Sequence, residues 1–503
     1  MLLPSASPAP EPGPRPEPDE GWPSWSSLRP LLRPRGIAVV GASADTDKFT
    51  GRIIPSLQAC GYAGAIYPVN PRYERLGNLP CYPSPGDVPD PCDLAIIAVP
   101  ARHVVAVTRQ AAERGVGAAV ILSAGFDEIG GEGLRRSAAL RALVTGPDGI
   151  RIYGPNCPGL WQIRDGLVYT FSSQFEPSAL RPGPVGLVTQ GGALGRAVLD
   201  AMETGLGFSF WFSTGNELDL DASTFIALLA DDPDTRVVAA VLEGWRDGVR
   251  FLRAAQRCRQ AGKPLVLLKI GTSTAGALAA LRHTAARGQP PLSHAQLRAV
   301  GCLPVEDIGE LTDAARLLAR YPHPPAPPAG PGICTFSGGA GGLLADQLTG
   351  AGIAPPDLAP ATASALRALL PDIASVGNPT DLTTAVFQDP DLACHALTLL
   401  AADPGIGLLL FPLPHRHDAF DAILAQALAT LAPGLAKPLA IVAVSPTFEQ
   451  EKAAHILLSA DIPVLPSCRR AARATATWLA YGADRHAWRR SGTFGTQTVG
   501  HAP

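Results

Sequence analysis

One histidine, one glutamate and three glycine-rich turns are the residues of this 503-residue chain whose types and spacing suit chemistry on phosphate. A neutral imidazole accepts a phosphoryl group on one ring nitrogen when a carboxylate orients the other. His283 stands in Arg282-His283-Thr284, downstream of Lys269-Ile270-Gly271-Thr272-Ser273. Glu243, in Leu242-Glu243-Gly244, ends the apolar run 237–242 and is the candidate to orient it, because ligands of open α/β sheets bind at strand C-termini. His294 competes with His283 on spacing, and a loop histidine without a catalytic role is the structural alternative for either. The turns are Gly41-Ala42-Ser43 leading to Gly51, Thr189-Gln190-Gly191-Gly192-Ala193-Leu194-Gly195, and Ser337-Gly338-Gly339-Ala340-Gly341-Gly342. Each follows an apolar run directly. Small residues there leave backbone N–H groups open at a helix start, which suits an anion; tight strand–helix packing is the competing explanation.

The first turn is not the GxGxxG of dinucleotide sites, and no acidic ribose ligand follows the second apolar run. Tyr67-Pro68-Val69-Asn70-Pro71-Arg72 stands there instead, and Arg72 suits a phosphate better than a ribose hydroxyl. A nicotinamide dinucleotide is thereby disfavoured, and a phosphorylated nucleotide such as the 3′-phospho-ADP portion of coenzyme A is favoured. Cys157, in Tyr153-Gly154-Pro155-Asn156-Cys157-Pro158-Gly159, has no base near it in sequence and reads as a small buried turn residue. His415-Arg416-His417 reads as a solvated loop. No metal constellation is visible.

The elements that must position these residues repeat one rhythm of short apolar strand, Gly-rich turn and Ala/Leu-rich helix. Strands are expected at 36–40, 65–69, 94–99 and 118–122, then at 186–189, 237–242 and 265–269, then at 332–336, 408–411 and 439–444. Near-continuous apolar strands alternating with helices mark parallel sheets covered on both faces. The expected fold class is therefore α/β, with three doubly wound domains at 28–180, 181–320 and 332–488. A stiff Pro-rich linker at 321–331 joins the last two, and tails at 1–27 (disordered, Pro-rich) and 489–503 (flexible) flank them.

Composition agrees with an ordinary globular protein: 46% hydrophobic, 17% charged, formal net charge −3. Nothing in that balance draws the chain to nucleic acid or anionic lipid. Nine cysteines without a CxxC pair argue for reduced thiols. The absence of a basic n-region and of any long apolar run argues against a signal peptide and a membrane span, so a cytoplasmic protein is expected.

From about Leu28 to Trp488 the chain resembles the ADP-forming acyl-CoA synthetases, typified by acetate–CoA ligase (ADP-forming), and more remotely the α subunit of succinyl-CoA synthetase. The stretches that carry the resemblance are 36–51, 67–71, 154–159, 186–195, Gly215-Asn216-Glu217, Asp232-Pro233-Asp234-Thr235-Arg236, 242–244, 337–342 and Gly377-Asn378-Pro379-Thr380-Asp381-Leu382. The resemblance implies a CoA-binding Rossmann-like domain followed by two flavodoxin-like ligase-CoA domains. It implies a phosphohistidine at His283 oriented by Glu243, with the Gly191-Gly192 and Gly338, Gly339, Gly341 turns holding the phosphoryl group. It implies a CoA cradle of Gly41, Ser43, Asn70, Arg72, Pro100, Ser123, Gly125 and Asn156. The implied reaction makes acyl-CoA from a carboxylic acid, CoA and ATP through the phosphohistidine and an acyl phosphate.

Two departures from the family pattern stand out. Arg282-His283-Thr284-Ala285-Ala286-Arg287 replaces the usual Ser-His-Thr-Gly-Ala-Leu, with Gln289-Pro290-Pro291 after it, and Thr189-Gln190-Gly191-Gly192 replaces Ser-Gln-Ser-Gly. No segment resembles the ATP-grasp domains, so ATP/ADP and Mg2+ are expected on a separate ATP-grasp β-type subunit in a hetero-oligomer. The alternative expectation is a non-catalytic CoA- or acyl-CoA-binding regulatory or scaffold protein; a nicotinamide-dependent dehydrogenase has only the generic fold behind it.

Overall fold

The structure, a computed structural model, describes residues 21–146, 149–170, 177–283, 292–413, 418–445, 447–448 and 451–490. The first sheet contains β1 (Gly36–Val40), β2 (Ala65–Val69), β5 (Leu94–Ile97), β6 (Ala118–Ile121) and β7 (Arg151–Tyr153), in the order β2-β1-β5-β6-β7, all parallel. A small hairpin, β3 (Arg75–Leu76) with β4 (Leu79–Pro80), lies between β2 and β5 in the chain. The second sheet runs β14-β13-β12-β10-β11-β8-β9. Its strands are β8 (Gly159–Gln162), β9 (Leu167–Thr170), β10 (Pro182–Thr189), β11 (Phe208–Ser213), β12 (Val237–Leu242), β13 (Leu265–Lys269) and β14 (Cys302–Val305). The third, β16-β15-β17-β18-β19, is built from β15 (Gly330–Thr335), β16 (Thr380–Asp381), β17 (Ile406–Leu413), β18 (Leu439–Ala443) and β19 (Val464–Leu465).

Counting only parallel strands, each sheet has the order 2-1-3-4-5. The first strand of each unit (β1, β10, β15) is flanked by the second and third, so the chain switches direction there and opens a crevice at the strand C-termini. The central strands are mostly apolar, as burial on both faces demands: β1, β11, β12, β17 and β18 are buried at every residue.

The three sheets stack with continuous apolar layers between them. One layer joins Val39, Ile96, Val120 and Tyr153 of the first sheet to Phe210, Phe212, Val238 and Ala240 of the second. The next joins Leu187, Ala239 and Val266 of the second sheet to Ile333, Leu408 and Leu410 of the third, with the helices Ile308–Arg320 and Cys468–Arg490 between them. Separate layers cover the outer faces of the first and third sheets.

Four features differ from the sequence expectations. The hairpin β8–β9, within the segment read as the first domain, pairs antiparallel with β11 and extends the second sheet. Its Gly159 has φ +118° and lies so close to Tyr169 that a side chain would collide. Residues 21–27, read as the end of a disordered tail, pack instead: Trp25 meets Phe210 at 5.6 Å and Arg250 lies 4.0 Å over the Trp22 ring. The segment read as a spacer at 321–331 is held down, since Trp478 Nε1 donates to Tyr321 O at 2.8 Å, and β15 already begins at Gly330. The last helix continues to Arg490, past the expected start of the C-terminal tail. In the first three cases the deciding contact is remote in sequence. Among the described residues no helix is long and apolar enough to cross a membrane.

Candidate functional site

The predicted cradle residues sit at the C-terminal ends of the first sheet. Gly41 follows β1 with φ +92°, and a Cβ there would lie 2.5 Å from Ala98 O. Only glycine lets the turn pass that close to the chain leaving β5. Asn70, after β2, donates from Nδ2 to Ala42 O at 2.8 Å and accepts from Arg72 N at 3.0 Å, tying the two strand ends together. Ser43 Oγ accepts from Asp45 N. Arg72 is exposed beside Lys48, whose own partner is Asp45 at 3.0 Å. Two cations at a strand end suit a phosphate. Pro100 precedes the helix Ala101–Glu113, and Ser123 Oγ donates to Val99 O at 2.5 Å. Gly125 has φ +107°, and its N–H and that of Phe126 both donate to the Glu128 carboxylate. Asn156, with φ +56°, lies beyond β7 and donates to Asn216 Oδ1 at 3.3 Å.

That last bond crosses into the second unit and is one of several. Asn216 Nδ2 donates to Glu128 and Arg246 to Asp127 Oδ2 across the same boundary, while Arg246 also donates to Asn216 O and Arg141 to Asp127 Oδ2 at 2.9 Å within their own units. Gly215, at φ +61°, makes the passage possible: a Cβ there would lie 2.5 Å from Asn156 O. The turn at Gly125 is thus tied to the loop that carries Glu243, although the sequence separates them by more than a hundred residues.

In the second unit, Gly191 is the N-cap of the helix Gly192–Leu199, which starts at the end of β10. Thr189 Oγ1 donates to Gly191 O at 3.0 Å and accepts from Trp211 Nε1 at 2.9 Å, so its hydroxyl shapes the turn from inside. Glu243 ends the neighbouring β12, across the switch point. Its backbone oxygen accepts from Lys269 Nζ at 2.8 Å, and burial lowers the pKa of that ammonium. The helix Thr274–His283 follows β13 and ends on His283. The side chain of His283 and residues 284–291 lie outside the described residues, as does His415-Arg416-His417. His294 is exposed in the first turn of the short helix His294–Ala299.

The third turn begins the helix Gly338–Gly350, with Ser337 as N-cap accepting from Ala340 N. Gly338 and Gly339 are exposed, and a Cβ at Gly339 would meet nothing within 4 Å. Gly341 is buried against Pro379 and Thr335, so its small size serves helix–strand packing. Cys157 is buried and donates to Ile121 O, and burial pushes its thiol up to about 12, which agrees with an inert turn residue. Among the described residues no cluster of three or more His, Cys, Asp or Glu is arranged to hold a metal.

Two site residues escaped the sequence reading as individuals: Gln190, taken only as part of a glycine turn, and Glu217. Both are buried, with φ +55° at Glu217. Glu217 Oε1 accepts from Gln190 Nε2 at 3.0 Å, Thr214 Oγ1 at 2.8 Å and Ala222 N at 3.0 Å. A polar amide directly after the apolar run 185–189, all of it buried, was the available signal for Gln190. Burial, with the nearby Asp221 charge, raises the Glu217 pKa above the ordinary carboxylate range. The unfolded chain therefore loses this proton at lower pH than the folded one, and stability falls as pH rises through that window. Glu217→Gln, which resembles the protonated acid, is expected to gain in melting temperature on the wild type as pH is raised from about 5 to about 8. Parallel melting curves across that range would exclude the carboxylate as the cause.

Three family models match the chain: a CoA binding domain at residues 35–162, a succinyl-CoA ligase like flavodoxin domain at 182–318 and a ligase-CoA domain at 332–493. The chain is 34% identical over 383 residues to acetate–CoA ligase (ADP-forming) II subunit alpha of Pyrococcus furiosus, covering 76% of this chain and 81% of that one. It is 34% identical over 455 residues to a trans-feruloyl-CoA synthase from an unknown prokaryotic organism, covering 89% of this chain but 64% of the relative, so it spans under two thirds of that protein. Among solved structures, the apo dinucleotide forming acetyl-coenzyme A synthetase 1 of Ca. Korarchaeum cryptofilum superposes with a TM-score of 0.81 at 28% identity, covering 92% of this chain and 99% of that chain.

Proposed function

The chain belongs to the ADP-forming acyl-CoA synthetases, a family of acid–thiol ligases, and on that premise we propose that it is the α-type subunit of such an enzyme. In this reading a separate ATP-grasp β-type subunit binds ATP and Mg2+ in a hetero-oligomer, and the γ-phosphoryl group passes to a ring nitrogen of His283 as its bond to the bridging oxygen breaks and ADP leaves. The phosphoryl group then moves to a carboxylate oxygen of the acid, breaking the N–P bond and forming an acyl phosphate. The CoA thiolate attacks the acyl carbon, the C–O bond breaks, and acyl-CoA and phosphate result. The relative named as subunit alpha, aligned over 81% of its length, supports the division into subunits.

The observation that carries the reading is the pairing, across one switch point, of Glu243 at the end of β12 with the Gly191–Gly192 helix start at the end of β10. A helix N-terminus favours a phosphoryl dianion, and a carboxylate beside it favours an imidazole. Gly339 leaves a second helix start open, whereas a Cβ at Gly338 would lie 2.9 Å from Asp381 Oδ2. Gly41, Ser43, Asn70, Arg72, Pro100, Ser123, Gly125 and Asn156 are proposed to hold CoA, with Arg72 on its 3′-phosphate. Phe336, one residue before Ser337, has Phe387 at 5.5 Å and Phe420 at 5.9 Å, an aromatic cluster beside the third turn. The acids to be tried therefore include an aromatic one.

The last chemical step needs neither ATP nor the partner. The chain mixed with CoA and acetyl, butyryl or benzoyl phosphate is expected to form the thioester and release phosphate, read by mass spectrometry. CoA binding without thioester from any of the three would favour a non-catalytic CoA-binding protein and sink the synthetase reading. By calorimetry, CoA is expected to bind about tenfold more tightly than dephospho-CoA, a difference lost in Arg72→Ala. Equal affinities in the wild type would remove Arg72 from the site.

A further inference from the structure

We infer that Gln190 is a positioning residue for Glu243, acting through the backbone that carries it; this rests on the roles of Glu243 and His283 proposed above. The Gln190 side chain is only 4% exposed and uses its full hydrogen-bonding capacity. Its Oε1 accepts from Glu243 N at 2.7 Å and from Gly244 N at 2.9 Å. Its Nε2 donates to Gly244 O at 2.8 Å and to Glu217 Oε1 at 3.0 Å. The orientation of the amide follows from its partners. The two backbone N–H groups can only donate, and Gly244 O can only accept, so a flipped amide would oppose donor to donor and acceptor to acceptor.

Glu217 is anchored in turn by Thr214 Oγ1 and Ala222 N, and it holds the amide at Nε2. Lys269 Nζ grips the Glu243 carbonyl from the β13 side. The peptide joining Glu243 to Gly244 is therefore held at both of its N–H neighbours and at its oxygen, just past the last ladder residue of β12. The side chain that leaves Glu243 starts from a fixed Cα and a fixed direction. A group that orients an imidazole must itself be oriented; the partners that orient metal-binding histidines are worth about ten- to a hundredfold in activity when removed, and an effect of that order is expected here. The same amide borders Gly191, so the residue that fixes Glu243 also stands at the helix start facing it.

The test uses the full chain and whichever radiolabelled acyl phosphate of the three above the wild type turns over, with phosphoryl transfer to the protein as the readout. Gln190→Met keeps the shape and removes all four bonds. It is expected to slow labelling about ten- to a hundredfold while leaving CoA affinity at its wild-type value. An imidazole that loses its carboxylate partner ionises at lower pH, so the acid limb of the labelling profile should move down, as in Glu243→Gln. The double variant should label no more slowly than Glu243→Gln alone, because both act through one carboxylate. Multiplying effects, or an acid limb that stays put, would overturn the inference. Should Gln190→Met not fold, Gln190→Glu decides: it keeps the acceptor but faces Glu217, so labelling must fall as pH rises, and a wild-type profile overturns the inference. If Glu243→Gln itself labels like the wild type, the parent assignment of Glu243 falls, and the inference with it; normal labelling of Gln190→Met beside an impaired Glu243→Gln overturns the inference alone.

Discussion

Replacing His283 by alanine is expected to abolish transfer of phosphoryl label from an acyl phosphate to the chain while sparing the CoA-dependent step. The two halves of the reaction use different nucleophiles. Phosphoryl transfer requires a ring nitrogen that becomes covalently bonded to phosphorus, and no other side chain at this position can replace it. Loss of a nucleophile in a cooperating set commonly costs about a millionfold in rate, which for labelling means background. Thioester formation from a preformed acyl phosphate uses the CoA sulfur instead, and its proposed cradle lies at the ends of β1, β2, β5, β6 and β7, on another sheet. The measurement pairs an acid-labile, base-stable phosphoprotein assay with thioester detection on the same preparations. A labelled His283→Ala protein removes the phosphohistidine from this residue and turns attention to His294. Loss of both activities with a normal melting curve would show that the histidine serves the acyl phosphate itself.

The sequence made the architecture legible because its signals are local. An apolar run such as Gly36–Val40 followed by the small residues Gly41-Ala42-Ser43 has few other folds available, and three such series give three sheets. The placement of Glu243 and the glycine turns at strand ends was legible for the same reason, since a strand end fixes where its next residue lies. What escaped depends on remote partners. The pairing of Gly159–Gln162 with Phe208–Ser213 joins segments about fifty residues apart, and nothing in the four residues of β8 names that partner. Trp22 and Trp25 sit in a Pro-rich stretch whose composition signals disorder, yet Phe210 and Arg250 give the two rings somewhere to go. Gln190 and Glu217 are polar residues in turns, where exposure is the ordinary expectation; only the fold brings Gln190 under Glu243 and buries Glu217 behind it. The positioning layer of the site is the part that sequence spacing leaves out.

The same dependence on remote partners makes one surface-facing arginine a large lever on stability. Arg470, in the helix Cys468–Arg490, donates to Asp313 from Nε at 2.6 Å and from its terminal nitrogen at 3.0 Å, and also to Gly309 O at 3.3 Å. Asp313 lies in the helix Ile308–Arg320 and is buried, with 2% of its side chain exposed. Burial pushes its carboxyl up to about 6 even with Arg470 opposing the shift. Arg470→Met keeps the apolar stem and removes the charge, leaving a carboxylate in the layer that joins the second and third sheets. Stranding one partner of a buried pair costs about 3–5 kcal/mol, and the low end, about 3 kcal/mol, applies because Arg470 is itself about a third exposed. The carboxyl escapes by taking a proton, so the loss should be largest near pH 8 and shrink as pH falls below about 6. Denaturant titrations at the two pH values measure it. A loss independent of pH would mean that packing of the arginine stem, and not the charge, holds the two helices together. Because these helices lie between the sheets that carry the Gly191 and Gly338 turns, the loosened variant should also lose phosphoryl transfer at denaturant concentrations that leave CoA binding intact. Simultaneous loss of both activities would mean that the three units unfold as one.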